Sequence, residues 1–512
     1  MRRLLVFAAC AALATCGSPA YAAPPASWGF FNYTTDFFQN LTRARWARVT
    51  GILWTSLEKP PGSGVYDWSG LDATVLSAQA ARLSVVLVLK AGNGSSFSDP
   101  DCFHLVQTAP AENFPNGRAL SSCPVKPELE GAWAAMVGAL VERFDSDGQG
   151  DMPGWNGTVR VEIQVENEAA NWEHWDYGET DRVVSADRYL RLLELSYQAK
   201  QAAAPQSKVI LAGLVHPNLL ARCDAQPGLP ECGAAPVQGN LVFTKRVLTR
   251  PDVFDAVDVH VFLYYHFEPS YIDEGLQWVA GQMQQLGYTR PVYCLEWTGS
   301  SMLHVASEGY ADAFTAYFPY ANDFPDTEAF LAMYAALDEP QNLVYREWFE
   351  AEQGKEFAKL FANILAAGAG RLVYVQYADL FPGSPWDNVW WNWQGAIKYV
   401  DGTAIRKPAF YTYNLVAKRL SGFSGASRVG PAGDVRLYQF MFPSGPPAYV
   451  FWTDGPGTTM DLSSVIGQPN VKVTHLVTEL DAANQPVILP DVTVPASAVP
   501  VGDVPVLLKG VN

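Results

Sequence analysis

The chain has 512 residues, 17% of them charged and 13% aromatic, which is too long for one small core and too apolar for disorder. Its 52 acidic residues outnumber 35 lysines and arginines, for a formal net charge of −17. Such a surface repels phosphate backbones and anionic bilayers, so it argues against nucleic acid as a partner. It also disfavours polyanionic sugars, unless a local basic pocket overrides the field.

The first residues read as an export signal over 1–22. Arg2 and Arg3 supply the positive start, residues 4–14 the short apolar core, and Ala20-Tyr21-Ala22 a small-x-small cleavage site. A membrane anchor would need about 20 apolar residues. Lipid attachment at Cys16 is the alternative, with Thr15 standing where a small residue is usual. No later segment is long and apolar enough to cross a membrane, so the expected location is periplasmic or extracellular. Cleavage would remove two arginines and no acid, making the charge more negative by two.

From residue 28 to about 420, short β-rich runs alternate with longer stretches of helical periodicity. Strands are predicted over 28–33, 49–54, 84–90, 159–166, 209–214, 256–264, 291–296 and 371–377. Helices over 71–81, 128–144, 186–203 and 352–367 lie among them. This alternation predicts an α/β fold, a (β/α)8 TIM barrel over 23–424 with long loop insertions. A doubly wound open sheet is the rival, and no nucleotide fingerprint supports it. After Ser421-Gly422-Phe423-Ser424-Gly425 the helices stop. Short runs over 435–442, 448–452, 471–476 and 504–508, separated by Gly/Pro/Asn turns, predict a small β-sandwich over 425–512.

Five cysteines follow the leader. Cys102 with Cys123, and Cys223 with Cys232, flank loop-like stretches and are expected to form two disulfides in an oxidising compartment. Cys294 is left over inside an apolar strand, as a buried structural thiol or a reactive one. No Cys/His cluster has zinc spacing, no glycine-rich phosphate loop is present, and no Asp/Asn/Gly run suggests a calcium site. The expectation is a protein with no metal and no organic cofactor.

Side chains alternate along a strand, so parity tells which ones enter a barrel. In residues 161–168 the apolar side chains share one parity, while Glu162, Gln164, Glu166 and Glu168 share the other. That places a polar column inside the barrel, ending with Glu168 at the strand's carboxyl end, where barrel active sites lie. Glu296 closes the apolar strand Pro291-Val292-Tyr293-Cys294-Leu295, just before a glycine-containing loop. A buried carboxylate without a partner is costly, so either each glutamate pairs with a rim arginine or the two act together. Two carboxyl groups across a barrel mouth suit glycosidic chemistry, one protonating the departing oxygen while the other attacks the anomeric carbon.

The ordered set Asn167-Glu168 and Glu296 resembles clan A of the glycoside hydrolases. So do Trp54 with Glu58, then Pro61-Gly62, Tyr66-Asp67-Trp68 and Asp72, and at the far end Gly395, Ile397, Asp401-Gly402 and 407–411. The tail with Phe451-Trp452-Thr453-Asp454 resembles the β-sandwich appended to xylosidase- and iduronidase-type members. The resemblance spans essentially all of the chain after the leader. It implies a retaining hydrolase of β-linked poly- or oligosaccharides, with Glu168 as acid/base, Glu296 as nucleophile and Asn167 on the sugar 2-hydroxyl. Asn167 and Glu168 have opposite parity, so both reach the pocket only if the strand is already turning into its loop. The aromatic platform expected after strand eight has several claimants: Tyr377, Trp386, Trp390, Trp391 and Trp393, of which Trp391 is taken.

Other residues carry two readings. His260 and Tyr264 share an inward parity with Asp258 and either serve the site or pack as core. Lys90, ending strand three, binds a sugar hydroxyl or carboxylate, or stands exposed at the rim. Trp54 is a stacking wall or core. Trp172 and Trp175 lie near His174 in the loop after Glu168, and stack on sugar or hold that loop. Arg48 is expected to pair with a carboxylate near the barrel floor. The long segments 91–126, 169–185 and 299–326 crowd the catalytic face and favour exo action over an open cleft. A carbohydrate-binding protein that has lost catalysis is the alternative from another class; Glu168→Ala would then leave its only activity, binding, intact. A structural surface protein docking through its tail is a third reading, and it would require an exposed apolar patch there.

Overall fold

The computed structural model describes residues 27–31, 44–110, 113–114, 118–261, 271–297, 318–375, 379, 393, 395–400, 403–430, 433–481 and 484–511. The leader with Cys16 lies outside these residues, as do the candidates Tyr264 and Trp391 and the competing Tyr377, Trp386 and Trp390. No helix among the described residues is long and apolar enough to cross a membrane.

Eight parallel strands close into a barrel in chain order: β1 (Ser27–Phe31), β2 (Trp46–Leu53), β3 (Ser84–Lys90), β4 (Val161–Val165), β5 (Val209–Val215), β6 (Ala256–Val261), β7 (Val292–Trp297) and β8 (Arg371–Tyr374). β1 makes the closure, with Gly29 paired to Trp46 on one side and to Val373 on the other. Alternation along the strands supplies two cores. Val85, Leu87 and Leu89 of β3 join Ile163 and Val165 against the surrounding helices. Val86 turns inward to Trp46, Ile210, Ala256, Tyr293, Leu295 and Val373.

The barrel floor is plugged by charge and aromatic rings. Arg371 lies 3.3 Å from the Trp46 ring centroid and 4.2 Å from that of Tyr293, and its Nη1 donates to Glu162 at 2.6 Å. Arg371, not Arg48, is therefore the floor arginine.

The predicted helices appear as Ser69–Ala80, Glu130–Glu142, Arg182–Ala203 and Leu343–Ala366. The last begins well before the expected 352, because its first turns face a different core. Tyr345, Trp348 and Phe349 pack on Phe318, Phe330 and Tyr334 of the segment after β7 rather than on the barrel. Cys102–Cys123 and Cys223–Cys232 form disulfides, and Cys294 is a buried free thiol.

The tail is all β. Its main sheet has six strands in the order Gly425–Arg428, Val435–Met441, Ala448–Thr453, Val506–Val511, Asn470–His475 and Val492–Pro495. One face of this sheet carries Leu437, Phe451 and Leu508 with a two-stranded ribbon, Thr458–Met460 and Val499–Val501. The other face, with Tyr438, Phe440, Val450 and Trp452, merges into the barrel's own core.

That seam contains Asp273, whose Oδ2 accepts from the Tyr438 hydroxyl at 3.4 Å. Burial pushes the Asp273 carboxyl up to about 7, against the opposing pull of Arg428 and Arg436. An unfolded carboxyl loses its proton near pH 4, so stability falls as pH rises from there through about 7. Asp273→Asn cannot ionise. Scanning calorimetry should therefore find its Tm above the parent's near pH 8, with the gap closing near pH 4.

Candidate active site

The carboxyl ends of β2, β3, β4, β6 and β7 meet at the mouth, and local breaks in strand regularity decide what they present. Regular β4 ends at Val165, and Glu166 takes φ +62°, a left-handed conformation costly for a residue with a Cβ. Its carboxylate accepts the Ala91 N–H at 2.7 Å, tying that turn to β3. Beyond the turn, parity no longer holds, and Asn167 and Glu168 both reach the site.

Between β6 and β7 the register slips after Asp258 and Tyr293, so that His260 stands opposite Glu296. Leu295 and Glu296 can then both face inward, as bulged rims allow. Close packing needs Gly213 on β5, since a Cβ there would lie 2.1 Å from His260 Nε2. A glycine inside a strand is the signal that would have marked this approach.

Arg48 organises the centre. It is fully buried; Nη1 donates to Glu296 Oε1, Nη2 to Asn167 Oδ1 at 2.6 Å, and both Nε and Nη2 to Gln164 Oε1 at 3.1 and 2.9 Å. With its oxygen so engaged, the Gln164 amide turns Nε2 to Asp258 Oδ2 at 2.7 Å. Asp258 also accepts the Leu295 N–H at 2.8 Å, and its Oδ2 lies 2.9 Å from His260 Nε2. The other ring nitrogen, Nδ1, stands 2.6 Å from Glu168 Oε1 and 3.5 Å from Glu296 Oε2.

Charge state follows from these contacts. Burial alone would lower the His260 pKa, but the Glu296 and Asp258 carboxylates raise it to about 10. Burial likewise works to raise Glu168, and the His260 hydrogen bond and charge outweigh it, bringing the carboxyl to about 2. Lys90, nearly inaccessible at the end of β3, is lowered by burial and held up by Glu166, Glu168 and Glu296. On the outer flank His174 Nε2 lies 3.8 Å from Glu168 Oε2 and 3.6 Å from Glu173 Oε1. Burial lowers His174 to about 4, and burial together with the Glu168 charge raises Glu173 to about 7.

The structure thus brings Glu168, Glu296, Asn167, His260 and Lys90 together and adds Arg48, Gln164, Asp258 and Glu173. Trp54 is corrected from a stacking wall to core. The β2–β3 register slips between Val49 and Ile52, and Trp54 starts a one-turn helix, fully buried with its ring centroid 5.6 Å from those of Phe97 and Trp133. Trp175 is also core, its Nε1 donating to the Ser185 carbonyl at 3.2 Å. Trp172, by contrast, is 37% exposed in the loop that follows Glu168. Its ring lies 5.2 Å from Tyr177, which is 4.7 Å from Phe114, itself packed beside Cys102 and Cys123.

Two clusters among the described residues have cation-ligand spacing. Glu168, His260 and Glu296 are one, but Arg48 already compensates Glu296 and both His260 nitrogens face carboxylates. The other, Asp145, Asp147 and Asp151, corrects the expectation that no Asp/Gly run has such spacing. Its carboxylates are engaged with backbone N–H groups of 146–149 at 2.7–3.2 Å.

No protein-family model and no curated protein matches the sequence. Solved structures match its fold. The chain is similar to a family 39 glycoside hydrolase from the gut symbiont Bacteroides cellulosilyticus WH2, with TM-score 0.57 and 12% identity over 96% of this chain and 82% of that one. The chain has the fold of a glycoside hydrolase. That glycoside-hydrolase fold is similar also to a bifunctional glucanase-xylanase from a metagenome library, at TM-score 0.51 and 12% identity over 95% and 96% of the two chains. A glucosidase from Croceicoccus marinus follows at TM-score 0.50 and 12% identity, over 96% and 98%.

Proposed function

We propose that this protein is a retaining glycoside hydrolase of β-linked saccharides, with Glu296 as nucleophile and Glu168 as acid/base. The observation that carries the reading is that the two carboxyl groups share one imidazole, with Glu168 Oε1 2.6 Å and Glu296 Oε2 3.5 Å from His260 Nδ1 and oxygens within 4.8 Å of each other. Double displacement uses carboxyls about 5–5.5 Å apart, and inversion needs roughly 6.5–9.5 Å to admit water between them.

Arg48 engages Glu296 Oε1 and leaves Oε2 for the anomeric carbon. Attack forms an ester and expels the leaving oxygen, which takes a proton from Glu168. In the second half Glu168 accepts a proton from water, and the hydroxide so formed displaces Glu296. Asn167, fixed by Arg48, stands beside Glu168 where it can meet the 2-hydroxyl. Lys90 presents a donor to the same sugar.

Exo action is part of the proposal. The segments after β3 and β4 are zipped together, with the Ser122 N–H on the His174 carbonyl and the Asp176 N–H on the Ser122 carbonyl, both at 2.9 Å, and this joined pair of loops supports it. Trp172, on its aromatic mount, is the stacking surface for a sugar ring. Trp172→Ala is expected to raise KM for oligosaccharides roughly fivefold, about 1 kcal/mol of lost stacking, and to leave kcat within twofold. Initial-rate kinetics check this.

The test of mechanism is stereochemical. Proton NMR of the first product formed from a β-glycoside should show the β anomer before mutarotation. Initial release of the α anomer would refute retention.

A further inference from the structure

Both nitrogens of His260 face carboxylate oxygens, Nδ1 that of Glu168 at 2.6 Å and Nε2 that of Asp258 at 2.9 Å. A neutral imidazole has one N–H, so one of these contacts would oppose two lone pairs. Two contacts therefore require two protons. Asp258 is not where the second resides: its oxygens already accept from Gln164 Nε2 at 2.7 Å and from the Leu295 N–H at 2.8 Å, which fits an ionised carboxylate receiving Nε2–H. The amide cannot flip without losing Arg48 from its oxygen. What remains is one proton held between His260 Nδ1 and Glu168 Oε1.

We propose that this proton, resting on His260, is the one the enzyme delivers to the leaving oxygen, so that His260 is the proton store of the acid/base. The inference rests on the glycosidase reading above. In the first step Glu296 Oε2 forms the bond to the anomeric carbon, and the glycosidic bond breaks with its electron pair going to the leaving oxygen. The Nδ1 proton passes to Glu168, whose carboxyl turns it to that oxygen, leaving a lone pair on Nδ1. In the second step Glu168 takes a proton from water and returns it to Nδ1 as the Glu296 ester is cleaved.

The timing is set by Glu296. Its Oε2, 3.5 Å from Nδ1, is the charge that disappears on esterification and returns on hydrolysis. Loss of that charge weakens the ring's hold on the proton just as the leaving oxygen needs it. Among the described residues, the other charged and titratable groups around this pair are Asp258, Arg48, Lys90, His174, His216 and Glu173, which none of the steps neutralises. The raised pKa of the ring and the lowered one of Glu168 agree with the proton residing on the imidazole in the free protein.

The experiment is nitrogen NMR on protein labelled with 15N-histidine, free and as the covalent adduct of a 2-deoxy-2-fluoroglycoside, with His260 assigned by comparison with His260→Gln. The proposal predicts an imidazolium near pH 8 in the free protein and a neutral ring with hydrogen on Nε2 in the adduct. A neutral ring in the free protein, or the same charged ring in both states, would overturn it. Mass spectrometry of the adduct reports separately whether Glu296 is a nucleophile at all, so failure of the glycosidase reading is told apart from failure of the proton store. Kinetics give an independent reading. His260→Gln should slow glycosides with sugar leaving groups by about 100-fold or more and those with a dinitrophenyl leaving group by less than about threefold. Equal slowing of both classes would assign His260 to holding Glu296 instead.

Discussion

Glu296→Ala is expected to abolish turnover, with a fall in kcat on the order of 10⁶-fold, as when a covalent nucleophile is deleted. Glu168→Ala should behave differently. Loss of a general acid costs about 10²–10⁴-fold on substrates whose leaving group needs a proton, and little in the first step when the leaving group is already a good one. Azide separates the two roles further. In Glu168→Ala it can replace water in the second step and give a β-glycosyl azide from a β-glycoside. In Glu296→Ala it can only attack directly, giving the α product. Thin-layer chromatography and NMR of the azides read the outcome, and the reverse pattern would exchange the two assignments.

Arg48→Met should have the largest effect on stability. The guanidinium is fully buried and donates to Glu296, Asn167 and Gln164. Its removal leaves Glu296 as a buried carboxylate without its arginine, at a cost of about 3–5 kcal/mol. Denaturant unfolding measures this, and a change below about 1 kcal/mol would show that the pair is not what holds the centre together. Arg48→Lys is not expected to restore it, because one ammonium cannot reproduce a planar fork that engages three side chains. Adding Glu296→Gln to Arg48→Met removes the carboxylate left without its arginine and should recover part of the loss, since residues in one network do not act additively.

The barrel was legible because its signal is repeated. Runs such as Ser84–Lys90 and Val209–Val215 are nearly continuous in buried apolar residues, and the segments between them are long enough for a crossover helix. The polar column of β4 also stood out, since Glu162 and Gln164 interrupt a valine and isoleucine pattern at period two. What could not be read was where that period fails. The left-handed turn at Glu166 brings Asn167 into the site, and the slip near Gly51 takes Trp54 out of it. Arg48 was expected at the floor because parity gives direction but not height. Paired with Val86, it reaches up to Gln164 and Glu296, and the floor belongs to Arg371. The tail's β character followed from its turns, while its single large sheet did not, because the second face is covered by the barrel's own helix rather than by tail sequence.

The central claim is that Glu296 and Glu168 divide one displacement between them. The most direct measurement is incubation with a panel of 2-deoxy-2-fluoro-β-glycosides bearing activated leaving groups, followed by peptide mapping by mass spectrometry. The account predicts a single covalent fluoroglycosyl ester on Glu296, formed also by Glu168→Ala with the dinitrophenyl member. An ester on any other residue, or turnover of the parent glycosides with inversion and no adduct, would contradict it.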